Sequence, residues 1–265
     1  MEIPTEGLVT LGLLGSMGMN EPPNIVSLVI HRFFDQSLLH WENIILSVLI
    51  GGVLALLFIL GTRKPKLIPG RLQNFLELAV ESFRNGVLSI LGPDGERHIP
   101  FLGTLFFYIL FMNIAGLFPL MKAPSSSINV TVGLALCVFV YVQYFNIKHM
   151  GFLGFLYHLA GAPKGALSWG MSLIMFPLEL LTQLTRPVTL SMRLFGNVMG
   201  EEVLIATFAV MGIGAIAWLN LPIGLPIQLP FMLFGLFTGF LQAFIFTLLS
   251  TIYILLSTPG DGSHH

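Results

Sequence analysis

The sequence predicts an all-α polytopic membrane protein with about five membrane helices and one amphipathic helix at the interface. Three observations predict it. Of 265 residues, 55% are hydrophobic and 9% charged, whereas a soluble domain is about one quarter charged. Several apolar runs reach the ~20 residues that a helix needs to cross the hydrocarbon. One further segment repeats its apolar residues at three- and four-residue steps, the pattern of a helix half in water.

Each element can be justified in turn. Residues 1–42 start acidic and lack the positive leader of a signal peptide, and are expected to form an extramembrane tail, which the orientation given below makes extracytoplasmic. Residues 43–61 form the first span, closed by the basic run TRKPK. In residues 71–91, Leu72, Phe75, Leu76, Ala79, Phe83, Val87 and Leu91 share one face, and Arg71, Gln73, Asn74, Glu77, Glu81 and Arg84 lie elsewhere. That is an interfacial helix, broken by GPDGE. Spans at 100–121 and 128–147 follow, joined tightly by MKAPSSS, and then a loop holding Lys148, His149 and Lys164.

Residues 167–219 are too long for one upright span. They are either strongly tilted or carry a short lead-in helix. LNLPIGLPIQLP, with three prolines, is irregular, and residues 231–256 make an uncharged last helix. Residues 43–257 thus form a single membrane domain, and 258–265 a cytoplasmic tail. An outside N-terminus puts Arg63, Lys64, Lys66, Arg71, Arg84, Arg97, Lys148 and Lys164 in the cytoplasm, against Arg32 and Lys122 outside, as the positive-inside rule asks.

Composition excludes several functions. A formal net charge of -1 offers no basic face for nucleic acid. The single cysteine, Cys137, lies in an apolar run and reads as a small buried side chain. The seven histidines lack the i, i+4 spacing of a helical metal site, so neither metal nor cofactor is expected. There is no phosphate loop, and no internal repeat of the kind secondary transporters carry.

The informative residues are the charges inside 167–219: Glu179, Arg186, Arg193, Glu201 and Glu202. An arginine at the centre of a membrane helix costs roughly 3 kcal/mol on insertion scales, so it needs a partner or a task. At about 100° per residue, Glu179, Arg186 and Arg193 form one stripe, with Asn197 about 40° and Glu201 about 80° away from Arg193. Glu202 points to roughly the opposite face, about 13 Å further along. One helix therefore shows a permanent cation to one neighbour and a carboxylate to another.

Arginine does not deprotonate, so it cannot relay a proton, but its fixed charge keeps a passing carboxylate ionised. A glutamate in a polar crevice binds and releases protons. Together they suit ion transfer to a partner rather than chemistry on a substrate. Plainer readings stand beside this one. Arg186, before Pro187, suits a structural ion pair with Glu179 or a snorkelling arginine, and Glu201 and Glu202 suit a wet outer interface. Asn129 opens an NVT sequon at the start of a span, where polar wetting of a membrane entrance is more plausible than glycosylation.

RPVTLSMRLFGNVMGEE at 186–202 and LQAFIFTLLSTIYI at 241–254, supported by NIAGLFP at 113–119 and PSSSINVT at 124–131, closely resemble subunit a of the F-type ATP synthase. The resemblance covers about 44–256. It implies a stator clasping a ring of c subunits, beside peripheral-stalk b subunits, in a bacterial plasma membrane. Two offset half-channels would carry H⁺ rather than Na⁺, and the last two helices would be long and strongly tilted along the ring. The chain would not be an enzyme by itself.

Arg193 matches the essential ring-facing arginine. Asn197 and Gln242 match polar neighbours of that arginine, and Glu202 the acidic position of the outer half-channel. Glu179 and Arg186 match polar positions of the preceding turns. There are departures: Gly235 stands where some members carry a histidine, and Ser125, Ser126 and Ser127 where some carry an acid. The outer channel would then be wired differently, with Glu201 sharing the role of Glu202. A stand-alone channel or secondary transporter is the alternative function, and a non-conducting scaffold a further one.

Overall fold

The computed structural model describes residues 41–62, 70–118, 121–159, 166–216 and 226–257. The tails expected at 1–42 and 258–265, apart from Trp41 and Glu42, lie outside them, as does Lys164. Every regular element among the described residues is helical. Helix α1, Glu42–Thr62, opens on an acidic residue, which complements the positive end of the helix dipole. It buries Leu46, Ile50 and Leu54 on one stripe and exposes Val48, Leu49, Leu56 and Ile59 on the other side. The buried stripe follows the four-residue spacing of a helix face.

Helix α2, Arg71–Leu91, has the bounds expected of the amphipathic segment. It buries Leu76 and Val87 and stacks Phe83 on Phe106, ring centroids 5.2 Å apart. Gly92 ends it, its N–H capping the Leu88 carbonyl. A 3-10 turn, Pro93–His98, follows, across which Arg84 pairs with Glu96.

Helix α3, Ile99–Ala115, ends before residue 121, where the apolar run suggested. The reason is a close approach: a Cβ on Gly116 would lie 2.6 Å from that of Ala123. The chain must leave the helix there to fold 121–127 back against it. Helix α4, Ile128–Leu159, overruns the expected span at 147 and absorbs Lys148 and His149, which were expected in a loop. Lys148 stays on the helix with its ammonium 5.9 Å from the Tyr144 ring. The bend comes later, at Gly151, whose φ of 71° is one that side-chain-bearing residues rarely adopt.

Helix α5, Ala166–Ile216, is a single run of 51 residues containing Pro177 and Pro187, not a span with a separate lead-in. At 1.5 Å per residue it is about 77 Å long, far more than an upright crossing needs. Helix α6 is Leu229–Ser257. Among the described residues four helical stretches are long and apolar enough to cross a membrane, Glu42–Thr62, Gly95–Ala115, Ile128–Lys148 and Leu229–Leu256. The charged α5, expected as a further span, is not among these four.

The core lies among α3, α4, α5 and α6, where Leu102, Ile109, Met112, Ala135, Val138, Leu194, Ala243 and Phe246 pack together. The buried hydroxyls of α6 are bonded within the helix. Thr247, Ser250 and Thr251 each donate to the carbonyl one turn back, at 2.8–2.9 Å. At membrane depth an unpaired hydroxyl would cost several kcal/mol.

Candidate functional site

The site is built along the seam between α5 and α6. Leu190, Leu194 and Val198 of α5 and Ala243 and Phe246 of α6 are all buried in the same apolar cluster, with Leu194, Ala243 and Phe246 fully so. Arg193, next to this seam in sequence, is exposed, as are Thr189, Met192, Gly196 and Gly200 on the same side of α5. A Cβ added at Gly196 or Gly200 would meet nothing within 4 Å. The arginine thus stands on an open, shallow face.

Beside it, Asn197 donates through Nδ2 to Oε1 of Gln242, at 2.9 Å. Gln242 is 3% exposed, and among the described residues its Nε2 has no hydrogen-bond partner. The pair expected near the arginine is therefore joined across the two helices.

Towards the start of α5 lies a first polar cluster. Gln143 of α4 donates to Gln183 Oε1 at 2.6 Å, Gln183 donates to Glu179 Oε1 at 3.5 Å, and Asn146 donates to Gln143 Oε1 at 3.3 Å. The Arg186 guanidinium stands 4.9 Å from the Tyr253 ring centroid, a cation–π contact. Among the described residues no ion pair joins Arg186 to Glu179, so the ion-pair reading of Arg186 is replaced by this stacking. Gln143, Asn146, Gln183, Arg186 and Tyr253 help line a cavity of about 20 Å³, room for a single water.

A second polar cluster lies eight to nine residues beyond Arg193. Glu201 accepts from the Thr238 hydroxyl at 3.2 Å. Its carboxylate fills the place a side chain on Gly235 would need: a Cβ there would collide with Oε1 and lie 2.6 Å from the carboxyl carbon. Glu202 faces another element, accepting from the Ala123 N–H at 2.9 Å. The two neighbouring glutamates are thus held by different partners, Glu201 by α6 and Glu202 by the segment before α4. Asn113 of α3 supports both sides, donating to the Gly239 carbonyl at 3.1 Å and accepting from Ser125 at 2.8 Å.

The stripe expected of Glu179, Arg186 and Arg193 is divided by environment. The first two join the α4–α6 cluster, and only Arg193 stands on the open face. Asn129 is exposed on the first turn of α4 and takes part in none of these hydrogen bonds. Sequence reasoning missed Gln143, Asn146, Gln183, Tyr253, Thr238 and Asn113. A signal existed for the amides, since Asn and Gln inside apolar helices are as costly without partners as charges are rare.

Fold and site together define a polytopic helical membrane protein that carries Glu179, Arg186, Arg193, Glu201 and Glu202 on one long helix, with two polar clusters either side of an apolar seam. The chain belongs to the ATP synthase A chain family, which its residues 44–255 match. It is 54% identical over 246 residues to ATP synthase subunit a of Protochlamydia amoebophila, covering 91% of each chain. It is 39% identical over 193 residues to ATP synthase subunit a of Oleidesulfovibrio alaskensis, covering 72% of this chain and 75% of that one. With the subunit a of Acidiphilium cryptum the identity is 36% over 215 residues, 79% and 84% of the two chains.

Proposed function

We propose that the chain is the ion-translocating stator subunit of a rotary F-type ATP synthase, offering two proton half-channels to a ring of c subunits. The observation that carries this reading is the arrangement around Arg193. Two polar clusters, one at Glu179–Gln183 and one at Glu201–Glu202, are offset along α5 and separated by the buried seam of Leu190, Leu194, Val198, Ala243 and Phe246. Arg193 lies level with the seam and faces outward. A proton cannot cross the apolar seam on protein groups, so it must leave the chain, ride on a partner and return on the other side.

On this reading the proton enters past Asn129 to Glu202 and Glu201 and protonates a ring carboxylate. After rotation that carboxylate meets Arg193, which forces ionisation because a guanidinium never gives up its own charge. The released proton leaves through the cluster of Gln143, Asn146, Gln183 and Glu179, with Arg186 and Tyr253 at its wall. Asn197 and Gln242 hold the arginine's surroundings polar. Helices α5 and α6 lie tilted along the ring, the peripheral-stalk b subunits bind elsewhere, and the N-terminus is outside a bacterial plasma membrane. Each charge crossing yields about 2.3 kcal/mol per 100 mV, so several must be summed for one ATP, which is the reason for a ring. The outward face of Arg193 also speaks against a stand-alone channel, which would enclose its charges.

The test is cysteine cross-linking in the assembled complex. Cysteines replace Leu190, Met192 and Asn197 in turn, with Cys137 removed, and a cysteine is placed beside the ring carboxylate. Cross-links from the exposed Met192 and Asn197, but not from the buried Leu190, are expected. Cross-links from none of them would end the proposal.

A further inference from the structure

We propose that Asn113 is a positioning residue for the Glu201–Glu202 pair, holding both carboxylate supports in register from one side chain. The inference rests on the reading that these glutamates carry protons. An amide at hydrocarbon depth is costly unless bonded, and Asn113, 7% exposed, uses both ends of its amide. Its Nδ2 holds the Gly239 carbonyl, one residue after Thr238, whose hydroxyl grips Glu201. Its Oδ1 holds the hydroxyl of Ser125, which is fully buried. Ser125 lies two residues after Ala123, whose N–H grips Glu202.

The local geometry makes this a hub rather than an isolated bond. Gly239 lets α6 approach: a Cβ there would stand 3.1 Å from the Asn113 Cβ. Gly116, one turn along α3 from Asn113, seats Ala123, leaving 2.6 Å between Cβ positions. The Ala123 carbonyl is fixed in turn by the N–H and the hydroxyl of Ser126, at 3.0 and 2.8 Å. One face of α3 therefore sets where the Ala123 N–H points and where the Thr238 turn lies. Removing the amide frees both supports at once, and the two carboxylates lose their fixed spacing.

The experiment measures ATP-driven proton pumping in inverted membrane vesicles, normalised to the amount of assembled complex. The variants are Asn113→Ala, Ser125→Ala, Glu202→Gln, and each of the first two combined with Glu202→Gln. Pumping is expected to fall about tenfold in Asn113→Ala and in Ser125→Ala, the scale of one lost hydrogen bond between a freed support and its carboxylate, and further in Glu202→Gln. Ser125→Ala added to Glu202→Gln should fall no further than Glu202→Gln alone, because the loop side then has nothing left to position. Asn113→Ala added to Glu202→Gln should keep only the part of its loss that runs through Glu201. The pH profile of pumping should also shift in Asn113→Ala, whereas a purely structural loss scales the profile without moving it.

Multiplicative losses in the double variants, or an unmoved profile, would overturn the role of Asn113 while leaving Glu202 in place. Normal pumping by Glu202→Gln would instead overturn the proton-path reading itself. Should Asn113→Ala not assemble, Ser125→Ala, which removes only the loop side of the hub, decides the matter by the same comparison.

Discussion

Gly235→Ala is the most diagnostic small change available. The added carbon would collide with Glu201 Oε1, lie 2.6 Å from the carboxyl carbon and reach within 3.1 Å of Leu117 Cδ2. Carbon contacts settle at about 3.5–4.0 Å, so the carboxyl group must retreat by roughly 1 Å. The backbone has no such need, because the displaced group is the tip of a flexible side chain. The Thr238 bond, 3.2 Å long at the start, would then stretch past hydrogen-bonding range.

A hydrogen bond to a charged group is worth about 1.5–3 kcal/mol. With each 1.36 kcal/mol equal to a factor of ten, proton transfer should slow by about 10- to 100-fold. The assay is ATP-driven acidification of inverted vesicles, with complex assembly followed in parallel by native gel. Assembly should be near normal and pumping strongly slowed, and adding Gly235→Ala to Glu201→Gln should change little further. Wild-type pumping in Gly235→Ala would refute the reasoning, since the seat of Glu201 would then be irrelevant to ion transfer.

Other outcomes follow from the same arrangement. Arg193→Ala should abolish ATP-driven pumping while leaving the chain assembled, because the exposed arginine supports no packing; the same vesicle assay checks it. Glu202→Gln should slow pumping more than Glu201→Gln, and the reverse order would move the main role to the carboxylate on α6. Phe246→Ala should cost about 3–5 kcal/mol in stability and open a passive proton leak across the seam, measured as faster decay of an imposed pH gradient without ATP.

Much of the fold could be read from residue patterning, because lipid leaves the backbone few choices. The bounds of α2 followed from its alternating faces, and the charges of α5 marked the functional helix. The ends of α3 and α4 were misplaced for opposite reasons. Residues 116–121 are apolar enough for a span, yet Gly116 must yield to Ala123. Lys148 looked like the start of a loop, yet its ammonium reaches Tyr144 from within the helix.

At the site, spacing placed Glu201 and Glu202 on different faces, and the helix confirms different partners for them. What spacing could not give is pairing between distant segments. Gln143 meets Gln183 across 40 residues, Asn113 meets Gly239 across 126, and Thr238 meets Glu201 across 37. Nothing in the sequence alone ties those positions together. The absence of a histidine at Gly235 was visible, but not that a carboxylate from the neighbouring helix occupies its room.

Gly196 and Gly200 carry a different consequence. Each lies in the interior of α5, where glycine weakens a helix by roughly 0.5–1 kcal/mol relative to alanine, and the surroundings impose no crowding that would require it. Judged on the isolated chain, both positions are simple targets for thermostabilisation by alanine. If a rotating ring sweeps this face, as proposed above, a screen that ranks variants by melting temperature would favour the very changes that roughen the surface the ring meets. Stability and turnover would part company at these two residues, and engineering of this subunit has to be scored in the working assembly rather than in detergent.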